Sequence, residues 1–274
     1  MKTKSPSKAT KVQWLTDLHL DRVFPDNQRR FLDCLAASDG IVVISGDISS
    51  SLYLNRHLTL VAAACAPRPA YFTLGNHDFH GSGLKEVEEG VAELCRSHTN
   101  LHHLDDGSII PISRSTCILG YRGWADARAG YGARTVVNSR DRKQIRDFHG
   151  LSPCESLRKM QELGAESARM IRRKLPLALS QFQQVVVLSH VPPFPETVIY
   201  NGKPCAPTHL PHFCNLSAGL AIRAITSAYP QRKVTVLCGH SHSQSVTQIL
   251  PNLTVRVGHA SPGRPGLQDF LEFP

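Results

Sequence analysis

The sequence predicts an α/β fold, and two observations carry that prediction. From Lys11 onward, short β-rich runs that close on polar or glycine residues alternate with helical patterns, the rhythm of strands and helices packed in layers. The runs are also nearly continuous in apolar character, so their strands are expected to be covered on both faces.

Taken in order, VQWLT at 12–16 leads to a helical pattern over about 26–37, and IVVIS at 41–45 to one over about 51–65. AYFTL at 70–74 leads to one over about 84–96, and TCILG at 116–120 is the fourth strand. The region from about 122 to 180 then breaks the rhythm. A Gly-rich stretch, GWADARAGYGA, precedes two polar, arginine-rich helical patterns, which read as a helical insertion over the core. The second pattern has a defined start: Ser152 caps, Pro153 suits the first helical position, and Glu155 completes a capping box. Its apolar face of Leu157, Met160, Leu163, Met170 and Ile171 requires a surface to dock on. QVVVLS at 184–189, a helical pattern over about 217–228 and VTVLC at 234–238 resume the alternation. SVTQIL and LTVRVG, separated by Pro251 and Asn252, read as a terminal hairpin.

At 274 residues the chain is expected to form one domain over 11–274, preceded by a flexible basic tail over 1–10. Its apolar share of 41% and charged share of 19% are those of a folded globular protein and exclude a disordered chain. No apolar run approaches the roughly 20 residues of a membrane span, and the basic start leads into no apolar segment of a secretory signal. Eight cysteines lie singly, with no CxxC pair, so free thiols in a reducing cytoplasm are expected. The formal charge of +9 is local: residues 122–174 hold thirteen Lys/Arg against six Asp/Glu, and the tail to Lys11 adds four lysines.

Five small motifs each follow a strand candidate: Asp17-Leu18-His19, Gly46-Asp47, Gly75-Asn76-His77-Asp78, Ser189-His190 and Gly239-His240-Ser241-His242. In an extended segment, residues i and i+2 point the same way, so Asp17 with His19, and His240 with His242, are expected to project together. Strand ends in α/β sheets converge on a common crevice, which brings about eight polar side chains around one point. Carboxylate, imidazole and amide oxygen together suit Mn, Fe or Zn better than an all-oxygen Ca or Mg site. Two ions fit that number of ligands better than one, and no cysteine falls within the motifs as a structural zinc site would require.

The set DLH, GD, GNHD, a lone His after a strand, and GHSH resembles the signature of the calcineurin-like metallophosphoesterase family, over roughly residues 12–258. The resemblance implies a four-layer α/β/β/α sandwich of two mixed sheets. It implies a first metal held by Asp17, His19, Asp47 and His242, and a second held by Asp47, Asn76, His190 and His240, with Asp47 bridging. It further implies hydrolysis of a phosphomonoester or phosphodiester of a small molecule or nucleotide by a hydroxide bridging the two ions. His77 would be the proton donor to the leaving oxygen and Asp78 the residue orienting it.

Outside the motifs, His209 and His212, in a Pro-rich loop, are candidates for substrate contact, and His80 for a supporting group. Arg122 and Arg128 flank Trp124 just after a strand and are the candidates for attracting a phosphorylated anion. A solvated helical face is the alternative for the basic region. Alternatives for the whole chain are a nuclease acting on polynucleotide, for which local basic charge gives mild support, and a non-catalytic metal-binding scaffold, which the intact motifs argue against.

Overall fold

The computed structural model describes residues 9–135, 137 and 139–274. In chain order the elements are β1 (Thr10–Leu15), α1 (Pro25–Ala37), β2 (Ile41–Ser45), α2 (Ser51–Cys65), β3 (Ala70–Thr73), α3 (Leu84–Ser97), β4 (Leu101–His103), β5 (Ile109–Pro111) and β6 (Thr116–Gly120). They continue with α4 (Asp141–Gln144), α5 (Pro153–Gln181), β7 (Gln184–Leu188), the hairpin of β8 (Ile199–Tyr200) and β9 (Lys203–Pro204), α6 (Leu210–Phe213) and α7 (Leu216–Ser227). The last are β10 (Lys233–Cys238), β11 (Ser245–Leu250), β12 (Leu253–Val257) and β13 (Phe270–Phe273).

The strands form two mixed sheets, one in the order β13-β1-β2-β3-β4 and one in the order β11-β12-β10-β7-β6-β5. Alternation along each strand explains why the runs are apolar throughout. Val12, Trp14 and Val43 face Val186, Leu188 and Leu237 between the sheets. Their neighbours Leu15, Val42 and Ile44 turn outward onto Phe31, Leu35, Leu54 and Leu58 of α1 and α2. On the other side Val185, Val187, Val234 and Val236 meet Ile171, Leu175, Ala218 and Ile222 of α5 and α7. The result is the four-layer α/β/β/α order, with every central strand buried on both faces.

The helices and long strands fall within a few residues of the expected positions, and the terminal hairpin forms between β11 and β12. Five short strands were not expected. β4, β5, β8, β9 and β13 are two to four residues long, too short to show a period; β4, β5 and β13 add to the edges of the two sheets, and β8 and β9 pair with each other. The tail expected over 1–10 lies outside the described residues as far as residue 8, and Thr10 already pairs with Phe273 at the start of β1.

The segment expected as an insertion divides into two parts. Val136 and Asn138 lie outside the described residues, and the first arginine-rich pattern contains only the short helix α4 between single 3-10 turns. The second is α5, capped as expected: Glu155 N donates to Ser152 Oγ at 3.3 Å and Ser152 N to Glu155 Oε2 at 2.8 Å. It joins the parallel neighbours β6 and β7 and so is the crossover helix of that sheet. Ile171, fully buried in this layer, tests that placement. Ile171→Ala should lower unfolding free energy by about 2–5 kcal/mol in urea titrations, whereas a helix merely laid on the surface would lose far less. Among the described residues, no helix is long and apolar enough to cross a membrane.

Candidate metal centre

The parallel strands end level with one another: Leu15 lies opposite Ile44, Ser45 opposite Thr73, and Leu188 opposite Leu237. All five motifs leave from these ends, so residues distant in sequence share one crevice. Their side chains are not aimed by an extended backbone, however. Asp17, His19, Asp47, His240 and His242 have φ of 50°, 43°, 55°, 70° and 58°, the left-handed region that costs a non-glycine residue roughly 1–2 kcal/mol. Such conformations persist only where the surroundings enforce them, and they gather at functional sites. The loops also cross closely: a Cβ on Gly46 would lie 2.7 Å from Gly75 N, and one on Gly75 would collide with Asp47 Oδ1. Glycine is what lets the Gly46-Asp47 and Gly75-Asn76 turns touch.

Two groups of donor atoms result, each within 4.8 Å: Asp17, His19, Asp47 and His242, and Asp47, His190 and His240. His242 Nε2 is 3.3 Å from Asp17 Oδ1, and His190 Nε2 is 3.3 Å from Asp47 Oδ1. His19 Nε2 and His242 Nε2 approach to 3.2 Å, as do His240 Nδ1 and His190 Nε2. The other nitrogens of the second pair are occupied. His190 Nδ1 donates to Ser45 O at 2.8 Å and His240 Nε2 to His212 O at 2.9 Å. Each ring thus turns its remaining nitrogen inward, the arrangement that orients imidazoles toward a cation. Burial alone would lower the His190 pKa, yet the Asp47 charge overrides it and pushes the ring up to about 10. Burial would raise Asp47, but His190 first, then His77, hold it well below the usual carboxylate range. The carboxylate charge that draws a proton to His190 would also attract a cation.

Asn76 stands beside the second group. Its Oδ1 is buried with no hydrogen-bond partner, while its Nδ2 donates to Asp141 Oδ1 at 2.9 Å. Asp141, at the start of α4, also accepts from His80 Nε2 at 2.7 Å and from Ser139 Oγ at 2.8 Å. Burial would raise its carboxyl, but the His80 bond leads the groups that bring it down to about 2. A charged acceptor therefore fixes which way the Asn76 amide faces and leaves a bare carbonyl oxygen as a ligand for a cation. An orphaned buried oxygen beside converging imidazoles fits a metal. Sequence reading named His80 as a supporting residue and missed Asp141, which stands among arginines in NSRDRK with no motif around it.

His77 points Nε2 toward Asp47 Oδ2 at 4.0 Å and Nδ1 toward Arg22 Nη2 at 3.0 Å. Burial, opposed by Asp47 and helped by His19, His80 and Arg22, lowers its pKa to about 4, so the ring is neutral at physiological pH. The orienting role expected of Asp78 is not what the structure shows. Its carboxylate accepts four backbone N–H bonds, from Asp47 and Gly75 at Oδ2 (3.0 and 2.8 Å) and from Ile48 and Ser49 at Oδ1 (2.8 and 2.9 Å). Those bonds staple the β2 and β3 loops together, and among the described residues none joins Asp78 to the His77 ring. Burial and then the Asp47 charge push Asp78 up to about 8, against the pull of the amides.

The expected substrate contacts fare differently. Arg122 is spent on ion pairs with Glu88 and with Glu166, the latter at 3.3 Å, tying α3 to α5. Arg128 faces a cleft with Arg158, Glu162 and Arg169 that contains none of the donors. Neither arginine reaches the crevice, because the chain after β6 turns into the helical layer. His212 meets it through its backbone carbonyl, while its Nε2 donates to Val137 O at 3.1 Å. The His209 ring lies 5.7 Å from Tyr200, and Phe213 packs at a tilt between Tyr200 and His240, 4.9 Å from each.

With this geometry in view, the family model described as calcineurin-like phosphoesterase matches residues 10–244. The chain belongs to the calcineurin-like phosphoesterase family. Comparison with curated proteins returned no match. Among solved structures, the phosphoesterase chain is similar to a dimetal phosphatase from Danio rerio, with a TM-score of 0.53 at 12% identity over 90% of this chain and 86% of that one. A 5'-nucleotidase from Candida albicans SC5314 aligns with a TM-score of 0.47 at 13% identity, over 91% of this chain and 46% of that one. At such identities the likeness of this phosphoesterase to the Danio rerio protein speaks to the fold.

Proposed function

We propose that the chain is a metal-dependent hydrolase of phosphomonoesters or phosphodiesters carried by a small molecule or nucleotide, working with two divalent cations. The observation that carries this reading is that two groups of donor atoms share one carboxylate, Asp47. On this reading Asp17, His19, Asp47 and His242 hold one ion, and Asp47, Asn76, His190 and His240 the other. Mn, Fe or Zn suits the donor set. When bound, such a pair lowers the pKa of water and neutralises charge on the phosphoryl oxygens.

The remaining work falls to side chains. Asp47, hydrogen-bonded by His77 N at 2.9 Å, keeps the donor sets and the His77 turn in one frame. His77 offers its Nε2–H to the departing oxygen from the same side. Ser45 and His212, through their carbonyls, hold His190 and His240 so that no rotamer search precedes binding. Eight free cysteines fit a reducing, cytoplasmic setting for this activity.

The test is a panel of monoesters, diesters, nucleotides and single- and double-stranded polynucleotides, assayed after loading with each metal while ion content is measured. Two ions per chain with turnover of one ester class supports the reading. A loaded protein that cleaves nothing overturns it, and turnover confined to polynucleotide moves the substrate class to nucleic acid.

Asp141 supplies a narrower expectation. Asp141→Ala removes the acceptor that faces the Asn76 amide outward, so one Mn²⁺ should bind about 10–100-fold more weakly by titration calorimetry while the other is nearly unchanged. Unaltered affinity for both ions would strip Asp141 of this role.

A further inference from the structure

The nitrogen of His77 turned away from the donor groups is Nδ1, and the atom against it is Arg22 Nη2, 3.0 Å away. A guanidinium carries five N–H donors, no acceptor, and a charge it does not lose. The contact therefore has one possible polarity: Arg22 donates and Nδ1 accepts. An imidazole whose Nδ1 accepts carries its proton on Nε2, the nitrogen facing Asp47. Arg22 is itself held to the site, since its N–H donates to His19 O at 2.9 Å across the 3-10 turn Leu20–Arg22. With Asp78 engaged by four amides, no carboxylate among the described residues competes for Nδ1.

We propose that Arg22 is the positioning residue for His77, fixing the imidazole as an Nε2–H donor aimed at the oxygen that leaves the phosphoryl group. The kinetic consequence rests on the phosphoesterase reading; the tautomer does not. A carboxylate behind Nδ1 would favour an imidazolium that hands over its proton outright. An arginine there favours a neutral ring that gives a hydrogen bond and keeps the ring from flipping.

A double-mutant cycle tests whether Arg22 acts through His77. Arg22→Ala should lower kcat about 10–100-fold, the scale of a misplaced catalytic group, with metal content unchanged because the Arg22 side chain contacts His77 and Asp21 and none of the donor atoms, and its backbone bond to His19 O survives truncation. In a His77→Ala background the same substitution should change kcat little. Arg22→Lys, which keeps a donor-only cation, should recover part of the loss. Additive losses in the two backgrounds would overturn the proposal and make Arg22 an independent anion contact. Nitrogen NMR of the zinc-loaded protein supplies a readout free of turnover. His77 should show a protonated Nε2 and an unprotonated Nδ1; a proton on Nδ1 refutes the assignment. Should the protein hydrolyse no phosphoester, the NMR result still stands or falls alone, so the two failures are distinguishable.

Discussion

Asp47→Ala should strip both ions from the protein and reduce kcat/KM by about 10³-fold or more, since charge stabilisation by bound metal is worth several kcal/mol. The carboxylate is 1% exposed and stands in both donor groups, so its loss is felt by both at once. Oδ1 also accepts the His77 N–H, and the residue sits at φ 55°, so truncation frees the His77 turn and leaves alanine in a region it disfavours. Asp47→Asn separates these effects: asparagine tolerates the left-handed backbone and can keep the N–H bond but lacks the charge. Ion content by mass spectrometry should fall well below one per chain in both variants. Two ions retained tightly in either would remove Asp47 from the shared position.

His77→Ala should separate the two observables. Turnover is expected to fall by about 10²–10³-fold, the worth of one hydrogen-bond donor aimed at developing charge, while ion content stays near that of the parent. The distinction follows from where the residue is tied. Its backbone N–H, which braces Asp47, survives truncation, and its ring meets His19 edge-on and His80 at a tilt, at 4.7 and 4.3 Å between centroids. The loss should be steep for substrates with poor alkoxide leaving groups and shallow for aryl esters, whose leaving oxygen needs little help. Equal losses for both, or none, would end the assignment.

Much of this was legible in the sequence because strand ends and motif positions coincide. Asp17, Asp47, Asn76, His190 and His240 each follow an apolar run, and parallel sheets bring such ends together whatever the intervening distance. The direction of each side chain was not legible. The i and i+2 argument for His240 and His242 assumed extended backbone, whereas both are left-handed, a choice made by the crowding of loops from two sheets. Asp78 shows the same limit: its letter fits an orienting role, but four amides from β2 and β3 loops claim it first. Arg122 misled because a cation after a strand looks free until α3 and α5 bring Glu88 and Glu166 to it. Asp141 and Arg22 were invisible because they serve by touching another side chain, and such partners leave no spacing in the chain.

The donors do not all belong to one half of the sandwich. Asp17, His19, Asp47 and Asn76 hang from the sheet containing β1, and His190, His240 and His242 from the sheet containing β10. A cation seated among them is therefore a rivet through both halves, set at the rim where the apolar seam of Trp14, Val43, Val186 and Leu237 gives way to solvent. Withdrawing it with a chelator would loosen the rim of the joint, and amide exchange would quicken at the ends of β2 and β10 together, two segments of different sheets that pair with different neighbours.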